Sequence, residues 1–249
     1  MVKIYTLASN RPDFIPLQVK SLSKFIEDDF EYIVINNGSN PILRYQIYNV
    51  CRVLNIKCIN SPYRWYKDAC YACGIPLQWA FEKYISKDVT AAIIDSDLFP
   101  IAKVNMSKFI SGYQIAGVLQ QRGDIGYLWN GLLYFNEIPS PNTFCLMPGK
   151  IRNINVDVGG YLYYWISENK PRIKYITHTS YITKKNRNLI DLPESIRKKY
   201  DDSYTFEIYN GQYLHYSRGS NWDKPEKLYR KDKTKLLFEF VNGAIDGSL

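Results

Sequence analysis

The sequence has 249 residues, of which 46% are hydrophobic and 22% are charged. This globular composition excludes a disordered or fibrous chain, and the length fits one large domain or two small ones. No stretch reaches the roughly 18 apolar residues that a membrane-spanning helix needs, so an integral membrane segment is excluded. The 32 Lys and Arg residues outnumber the 24 Asp and Glu residues and give a net charge of +8, which favours anionic partners.

The N-terminus and the cysteines predict a cytoplasmic setting. The apolar run over 2–7 is too short for a signal peptide and is typical of a first strand. Five cysteines, an odd number without a regular framework, indicate reduced thiols. Basic clusters at 184–187, 197–199 and 224–235 are typical of solvated surface, and they are also able to contact an anionic membrane or polymer peripherally.

The first hundred residues alternate between strand-like and helix-like segments. Strands are predicted over 2–7, 32–35, 56–59 and 89–94, and helices over 14–25, 41–54 and 68–85. Gly74 and Pro76 predict a kink or a break in the third helix. Because repeated strand–helix units build parallel sheets, the sequence predicts an α/β fold with a parallel portion.

After residue 100 this rhythm changes. Strands are predicted over 113–119, 127–135 and 172–177, and helices over 160–167 and 226–241. The strands of this half follow one another without long helices between them, and one α/β domain of two halves is the simplest interpretation.

The sharpest feature is a pair of carboxylates at the end of a buried strand. Asp95 and Asp97 follow the apolar run 89–94, at the sheet edge where open α/β folds bind their ligands. Side chains at positions i and i+2 of a strand end point the same way, so both carboxylates can face one divalent cation. Oxygen ligands suit Mn²⁺ or Mg²⁺ better than zinc. The alternative is a solvated Asp-Ser-Asp turn that caps the next segment.

These residues carry a resemblance to glycosyltransferases of the GT-A fold, in which a nucleotide-binding half ends in a D-x-D motif after a hydrophobic strand. The match here is Asp95-Ser96-Asp97, and further segments follow in an order similar to that of the family-8-like branch. These segments are Trp129-Asn-Gly-Leu-Leu-Tyr-Phe-Asn136, Val156-Asp-Val-Gly-Gly160 and His215-Tyr-Ser-Arg-Gly-Ser-Asn-Trp222.

The resemblance implies one GT-A-like domain over 1–249, with a mixed central sheet. A Rossmann-like donor half would cover 1–100 and an acceptor half 101–249. The resemblance also implies that Asp95 and Asp97 hold a metal on the donor diphosphate and that His215 completes the metal site. The donor would be further contacted by the D-x-D and by the Gly-rich turn, through Asp95, Ser96, Gly219 and Ser220.

His215 and Asp157 each have a structural alternative. A neutral imidazole can bind Mn²⁺, but a histidine in a strand-like segment is also compatible with a purely structural, buried residue. Asp157 is expected to be a general base or a ligand of the acceptor hydroxyl, or else the cap of the following helix. In an inverting enzyme it would deprotonate the acceptor and in a retaining one only orient it; the order of motifs favours retention.

Residues at strand ends and in one basic–aromatic segment are predicted to contact the donor: Thr6, Ala8, Asn10, Arg11, Asn36, Asn37, Tyr63, Arg64 and Trp65. Arg11 could contact a phosphate, and the two asparagines could bind a base edge, although turn chemistry also explains Asn-Asn-Gly. The aromatic segment suits stacking. Cys70-Tyr-Ala-Cys73 has C-x-x-C spacing, but its place in a predicted helix beside small residues indicates packing.

We therefore expect a metal-dependent glycosyltransferase that uses Mn²⁺ or Mg²⁺ and a UDP- or GDP-linked sugar, with a glycan or other hydroxyl acceptor. Two alternatives stay open. A basic, aromatic nucleic-acid-binding protein fits the charge but leaves the D-x-D unexplained. A sugar nucleotidyltransferase is disfavoured because no Gly-rich phosphate loop follows the first strand.

Overall fold

The structure is a computed structural model that describes residues 1–63, 68–182, 206–216 and 227–248. Its strands, in chain order, are β1 (Val2–Ala8), β2 (Phe30–Asn36), β3 (Lys57–Asn60), β4 (Ala91–Ile94), β5 (Leu98–Pro100), β6 (Ile115–Arg122), β7 (Ile125–Phe135), β8 (Gly149–Ile151), β9 (Ile154–Val156), β10 (Ile173–Tyr175), β11 (His178–Ile182), β12 (Phe206–Tyr209) and β13 (Tyr213–His215). Its α-helices are α1 (Phe14–Phe25), α2 (Pro41–Val53), α3 (Ala69–Lys83), α4 (Met106–Ile110), α5 (Leu162–Asn169) and α6 (Lys227–Asp246).

Two compact units alternate along the chain. One comprises Met1–Ile15, Asp28–Ser96 and Asn105–Ile176, and the other comprises Pro16–Glu27, Asp97–Val104 and Thr177–Leu249. The boundary between them passes through the D-x-D motif. The donor half 1–100 and acceptor half 101–249 divide the chain by expected role, and they stay a prediction.

The first unit is built around a seven-stranded mixed sheet with the order β10-β6-β7-β4-β1-β2-β3. Strands β4, β1, β2 and β3 run parallel, whereas β7 is antiparallel to both β4 and β6. The predicted α/β fold with a mixed central sheet is therefore confirmed. All four residues of β4 are buried, as expected of a central strand. The carboxyl end of β4 thus lies in the middle of the sheet.

The helix α3 corrects one expectation from the sequence. It runs from Ala69 to Lys83 without interruption, so of the kink or break expected at Gly74 and Pro76, the break is wrong. Proline has no N–H, which leaves the carbonyl of Ala72 without its helical donor. The side-chain amide of Asn37, which follows β2, donates to that carbonyl over 3.1 Å. A side chain from the sheet edge therefore replaces the hydrogen bond that proline cannot make.

The core of the first unit contains a group of aromatic rings between α3, α5 and the sheet. Phe81 stacks on Phe144 with ring centroids 4.8 Å apart. Phe135 and Trp165 meet Phe144 edge to face at 5.6 and 5.1 Å. Burial of such large side chains supplies much of the hydrophobic stabilisation of a domain and fixes the helices against the strands.

The second unit contains a four-stranded antiparallel sheet with the order β11-β12-β13-β5 and the helix α6. The register places His215 of β13 opposite Leu98 of β5 on one side and opposite Glu207 of β12 on the other. Because Leu98 follows Asp97 directly, this pairing brings His215, more than 100 residues further along the chain, to the second carboxylate of the D-x-D. No helix among the described residues is long and apolar enough to cross a membrane.

Candidate functional site

Asp95 is fixed by its backbone at the end of β4. Its N–H donates to the carbonyl of Gly131 in β7 over 2.8 Å, and its carboxylate accepts the N–H of Ser96 over 2.8 Å. A glycine is favoured at position 131 for steric reasons, since a Cβ there would lie 2.1 Å from the indole of Trp129. The first carboxylate of the motif is thereby placed at the central strand end, as predicted.

Asp97, His215 and Glu207 form a largely buried cluster in the second unit. Nε2 of His215 lies 3.3 Å from Oδ1 of Asp97, and Nδ1 lies 2.5 Å from Oε2 of Glu207. The side chains are 13%, 11% and 18% exposed, respectively. The backbone N–H of Tyr216 also donates to the carbonyl of Asp97 over 2.8 Å. A solvated turn, the alternative for the motif, does not describe Asp97.

The electrostatics of this cluster favour a charged ring when no metal is bound. Burial opposes protonation of His215, but the carboxylates of Asp97 and Glu207 outweigh burial and raise the pKa of His215 to about 10. Burial alone would raise the pKa of Glu207, but the hydrogen bond and the charge of His215 outweigh burial and lower it. The cluster is therefore an ion-paired group of acidic and basic side chains in the metal-free protein.

The same atoms fit a divalent cation. Among the described residues, the buried Oδ1 of Asp97 has no hydrogen-bond partner, although it lies beside Nε2 of His215. Both atoms are of types that bind a metal ion, and Asp95 stands only two residues away along the chain. A carboxylate and a neutral imidazole suit Mn²⁺, and a cation would replace the ring proton as the positive charge beside the buried carboxylate.

Three predicted donor residues lie inside the parallel sheet edge. Thr6 is buried and its hydroxyl donates to the carbonyl of Ile94 over 2.5 Å, and Ala8 is also buried. The side-chain amide of Asn36 donates to the carbonyl of Arg44 and to Oδ1 of Asn60 over 2.9 and 3.0 Å. These side chains stabilise the ends of β1 and β2 from within.

Two other predicted residues present buried oxygens at the same edge. Oδ1 of Asn10 and Oδ1 of Asn37 have no hydrogen-bond partner among the described residues. Asn37 is 1% exposed, and its amide nitrogen is held by Ala72, which fixes where its oxygen lies. Unsatisfied buried acceptors are costly, so these two oxygens indicate a place for a donor group of a ligand or for water.

Arg44 was not singled out in the sequence, yet it organises the loops that follow β2 and β3. Its Nε donates to the carbonyl of Gly38 over 3.1 Å and its Nη1 to that of Ser61 over 2.9 Å. Its Nη2 donates to the carbonyl of Tyr63. No sequence signal separates such an arginine from a solvated one on α2, because its partners are backbone carbonyls.

Arg11 and Tyr63 already have partners of their own. The Arg11 guanidinium donates to Asp13 over 2.7 Å and lies over the ring of Phe14, 3.7 Å from its centroid. The Tyr63 ring meets Trp79 edge to face at 6.4 Å. The remaining predicted donor contacts lie outside the described residues: Arg64, Trp65, Gly219 and Ser220.

Asp157 follows β9 and lies in a second, more exposed cluster. The thiol of Cys70 donates to its Oδ1 over 2.9 Å, and Nη2 of Arg122 lies 3.5 Å from its Oδ2. The hydroxyl of Tyr127 accepts the N–H of Asp157 over 3.2 Å. Helix α5 begins five residues later, and its N-cap residue, Tyr161, makes no side-chain capping bond. The helix-cap alternative for Asp157 is therefore wrong.

The C-x-x-C motif is explained by packing. Cys70 and Cys73 lie one turn apart on α3, so they share a face of the helix. Cys70 contacts Asp157, and the Sγ of Cys73 accepts the side-chain amide of Asn130 over 3.6 Å. All five cysteines are free thiols. The two thiols therefore contact residues of two different motifs of the predicted glycosyltransferase pattern, a link that the sequence analysis missed.

No protein-family model and no curated protein matches the sequence. The structure is similar to the galactosyltransferase LgtC, solved with donor and acceptor sugar analogues, with a TM-score of 0.50 and 9% identity over 96% of each chain. It is also similar to the bifunctional glycosyltransferase WbbM, with a TM-score of 0.50 and 12% identity, over 95% of this chain and 49% of WbbM. The protein therefore has the GT-A glycosyltransferase fold, as predicted.

Proposed function

We propose that this protein is a metal-dependent glycosyltransferase, which moves a sugar from a nucleotide-sugar donor to a hydroxyl of a glycan or another acceptor. The observation that carries the proposal is that Nε2 of His215 lies beside Oδ1 of Asp97. Asp97 follows Ser96, the last residue of the chain segment that includes the central strand β4. Fold likeness alone leaves activity open, because one fold supports many functions. The two potential metal ligands, Nε2 of His215 and Oδ1 of Asp97, are what favours a reaction on a nucleotide-sugar donor.

Asp95, Asp97 and His215 would hold Mn²⁺ or Mg²⁺ against the donor diphosphate. When bound, the cation supplies positive charge that stabilises the negative charge developing on the leaving nucleotide. The protein's own part is to hold the ligand atoms in place: Asp95 by its backbone bond to β7, and Asp97 and His215 by the pairing of β5 with β13.

The nucleoside part of the donor would bind at the ends of β1 and β2. The buried oxygens of Asn10 and Asn37 support this location, because they can accept the N–H groups of a base such as uracil or guanine or the hydroxyl groups of a ribose. Thr6, Ala8 and Asn36 would support that surface from inside. The other proposed donor contacts, to the base or the diphosphate, are Arg11, Tyr63, Arg64, Trp65, Ser96, Gly219 and Ser220.

Asp157 would bind the acceptor hydroxyl. Its carboxylate is 42% exposed, so a substrate can reach it, while Cys70 and Arg122 each hold one of its oxygens. A carboxylate has lone pairs for further donors, which makes an orienting role the simplest one. That role, and the family-8-like order of motifs, favour retention of configuration. We further propose a cytoplasmic enzyme with peripheral contact to an anionic membrane or polymer.

Thermal unfolding with Mn²⁺ and with UDP, GDP or CMP tests the proposal. We expect one nucleotide to raise the melting temperature only when Mn²⁺ is present, since a ligand that binds only the folded state stabilises it. Asp97→Asn should abolish this shift. The matched control is Asp124→Asn, an exposed aspartate whose carboxylate contacts Arg152 over 2.9 Å, and it should keep the shift.

Two outcomes would favour the alternatives instead. Salt-dependent binding of DNA or RNA without a metal, together with no nucleotide shift, would support a nucleic-acid-binding protein. Formation of a nucleotide sugar from a nucleoside triphosphate and a sugar phosphate would support a nucleotidyltransferase. Either result would contradict the proposed transfer reaction.

A further inference from the structure

Glu207 lies behind His215, on the side of the ring away from Asp97. The two residues are directly paired between β12 and β13. Oε2 of Glu207 is 2.5 Å from Nδ1 of His215, and it also accepts the hydroxyl of Tyr209 over 3.0 Å. Since both side chains are less than 20% exposed, water competes little for these charge-assisted hydrogen bonds.

This geometry determines which ring nitrogen of His215 is available to a ligand. An ionised carboxylate can only accept hydrogen bonds, so Nδ1 of His215 carries the hydrogen. Nε2 then lies on the other side of the ring, 3.3 Å from Oδ1 of Asp97. The nitrogen that faces the D-x-D is therefore the one placed to bind a metal ion.

We propose that Glu207 is a positioning residue for the metal ligand His215: it fixes the ring with Nε2 towards Asp97 and keeps the hydrogen on Nδ1. The inference rests on the proposed metal site. A carboxylate behind a metal-binding histidine fixes the tautomer and increases the donor strength of the ligand, and its loss typically weakens metal binding 10- to 100-fold. Nothing in the local sequence Phe-Glu-Ile-Tyr around Glu207 indicated this role, because the partner lies eight residues away on the next strand.

The test measures Mn²⁺ binding directly, by the electron paramagnetic resonance signal of unbound Mn²⁺, with Mn²⁺ alone and with Mn²⁺ plus UDP or GDP. Glu207→Gln keeps the shape of the side chain but removes its charge, and we expect about 10- to 100-fold weaker Mn²⁺ binding. The matched control is Glu239→Gln on α6, whose carboxylate lies 4.0 Å from Lys235, and it should bind Mn²⁺ as the wild type does.

A second measurement reads the ring itself without a metal. The chain has only two histidines, so ¹⁵N spectra of the ring nitrogens are simple, and His178→Gln assigns them. At a pH high enough to remove one proton from the ring, we expect His215 of the wild type to keep the Nδ1–H form, and Glu207→Gln to shift its ring towards a mixture of the two forms. Unchanged ring spectra in the variant would overturn the positioning role.

The outcomes separate the inference from the proposed function. If the wild type binds no Mn²⁺ under either condition, the metal site fails and the inference fails with it. If the wild type binds Mn²⁺ and Glu207→Gln binds it equally well, only the role of Glu207 is overturned. If Glu207→Gln does not fold, Glu207→Asp takes its place, because it keeps the charge but withdraws the carboxylate from the ring; we expect about 10-fold weaker binding, and unchanged binding would overturn the inference.

Discussion

The cluster around His215 and the cluster around Asp157 are both built from acidic and basic side chains, but water reaches them to different extents. Asp97 and His215 are 13% and 11% exposed, whereas Asp157 and Arg122 are 42% and 52% exposed. Buried charges depend strongly on their partners, whereas exposed pairs contribute little to stability. The first cluster is therefore held in a fixed arrangement, as the proposed cation site requires. The second is freer to adjust, as the proposed acceptor contact would allow.

The largest expected effect comes from Asp97→Asn in the buried cluster. The amide removes the charge that would hold a divalent cation, so we expect sugar transfer to fall by about 10³-fold or more while the protein stays folded. A transfer assay with and without EDTA, together with circular dichroism, measures both. Asp124→Asn is the control for a surface change. Full activity of the wild type in EDTA would contradict the metal-dependent reaction.

Asp157→Asn should have the next largest effect, and it separates two roles. If Asp157 is a general base, transfer should fall by about 10²-fold or more, because the amide cannot accept the proton. If it only orients the hydroxyl, the loss should be several-fold and appear mainly in the acceptor KM. Nucleotide and Mn²⁺ binding should not change in either case. Unchanged transfer would remove Asp157 from the site.

Arg122→Gln tests how loosely the exposed cluster is organised. An exposed ion pair contributes about 0–1 kcal/mol, so we expect the melting temperature to stay within a few degrees and the acceptor KM to change by no more than about fivefold. Steady-state kinetics and thermal unfolding measure these two quantities. A loss as large as that of Asp157→Asn would show that the guanidinium itself contacts the reacting groups.

The last prediction concerns the reactivity of Cys70, which involves no catalytic step. Burial, and then the hydrogen bond to Asp157 and its charge, raise the pKa of this thiol to about 12. A raised pKa means less thiolate, so at pH 8 Cys70 should react with iodoacetamide at least about 100-fold more slowly than in the unfolded protein. Peptide mass spectrometry follows the reaction. The rate should increase in Asp157→Asn, and rapid modification of the folded wild type would contradict the contact.

The parallel part of the fold could be predicted because its signals are local. The apolar run before Asp95, the strand–helix alternation and the turn signals all belong to short stretches of sequence, and the structure has the corresponding strands and helices. The mixed sheet and the GT-A fold followed from the order of motifs. These are the features for which patterning within one element is sufficient.

The missed contacts all depend on which elements meet. Glu207 reaches His215 through the register of two strands, and Arg44 binds carbonyls of loops whose positions no periodicity reveals. Cys70 contacts Asp157, which is 87 residues away in the chain. A single sequence gives residue types along one element, but it does not give the register and packing that bring two elements together.

The proline in α3 has a consequence for any attempt to make the protein more robust. Replacing Pro76 by alanine would restore an N–H that competes for the carbonyl of Ala72, the acceptor that now holds the side chain of Asn37. A change that improves the helix would therefore release a side chain at the end of β2. If the proposed donor site lies at this edge, thermostability and a well-formed site would be selected in opposite directions at this position, a trade-off between stability and activity within a single hydrogen bond.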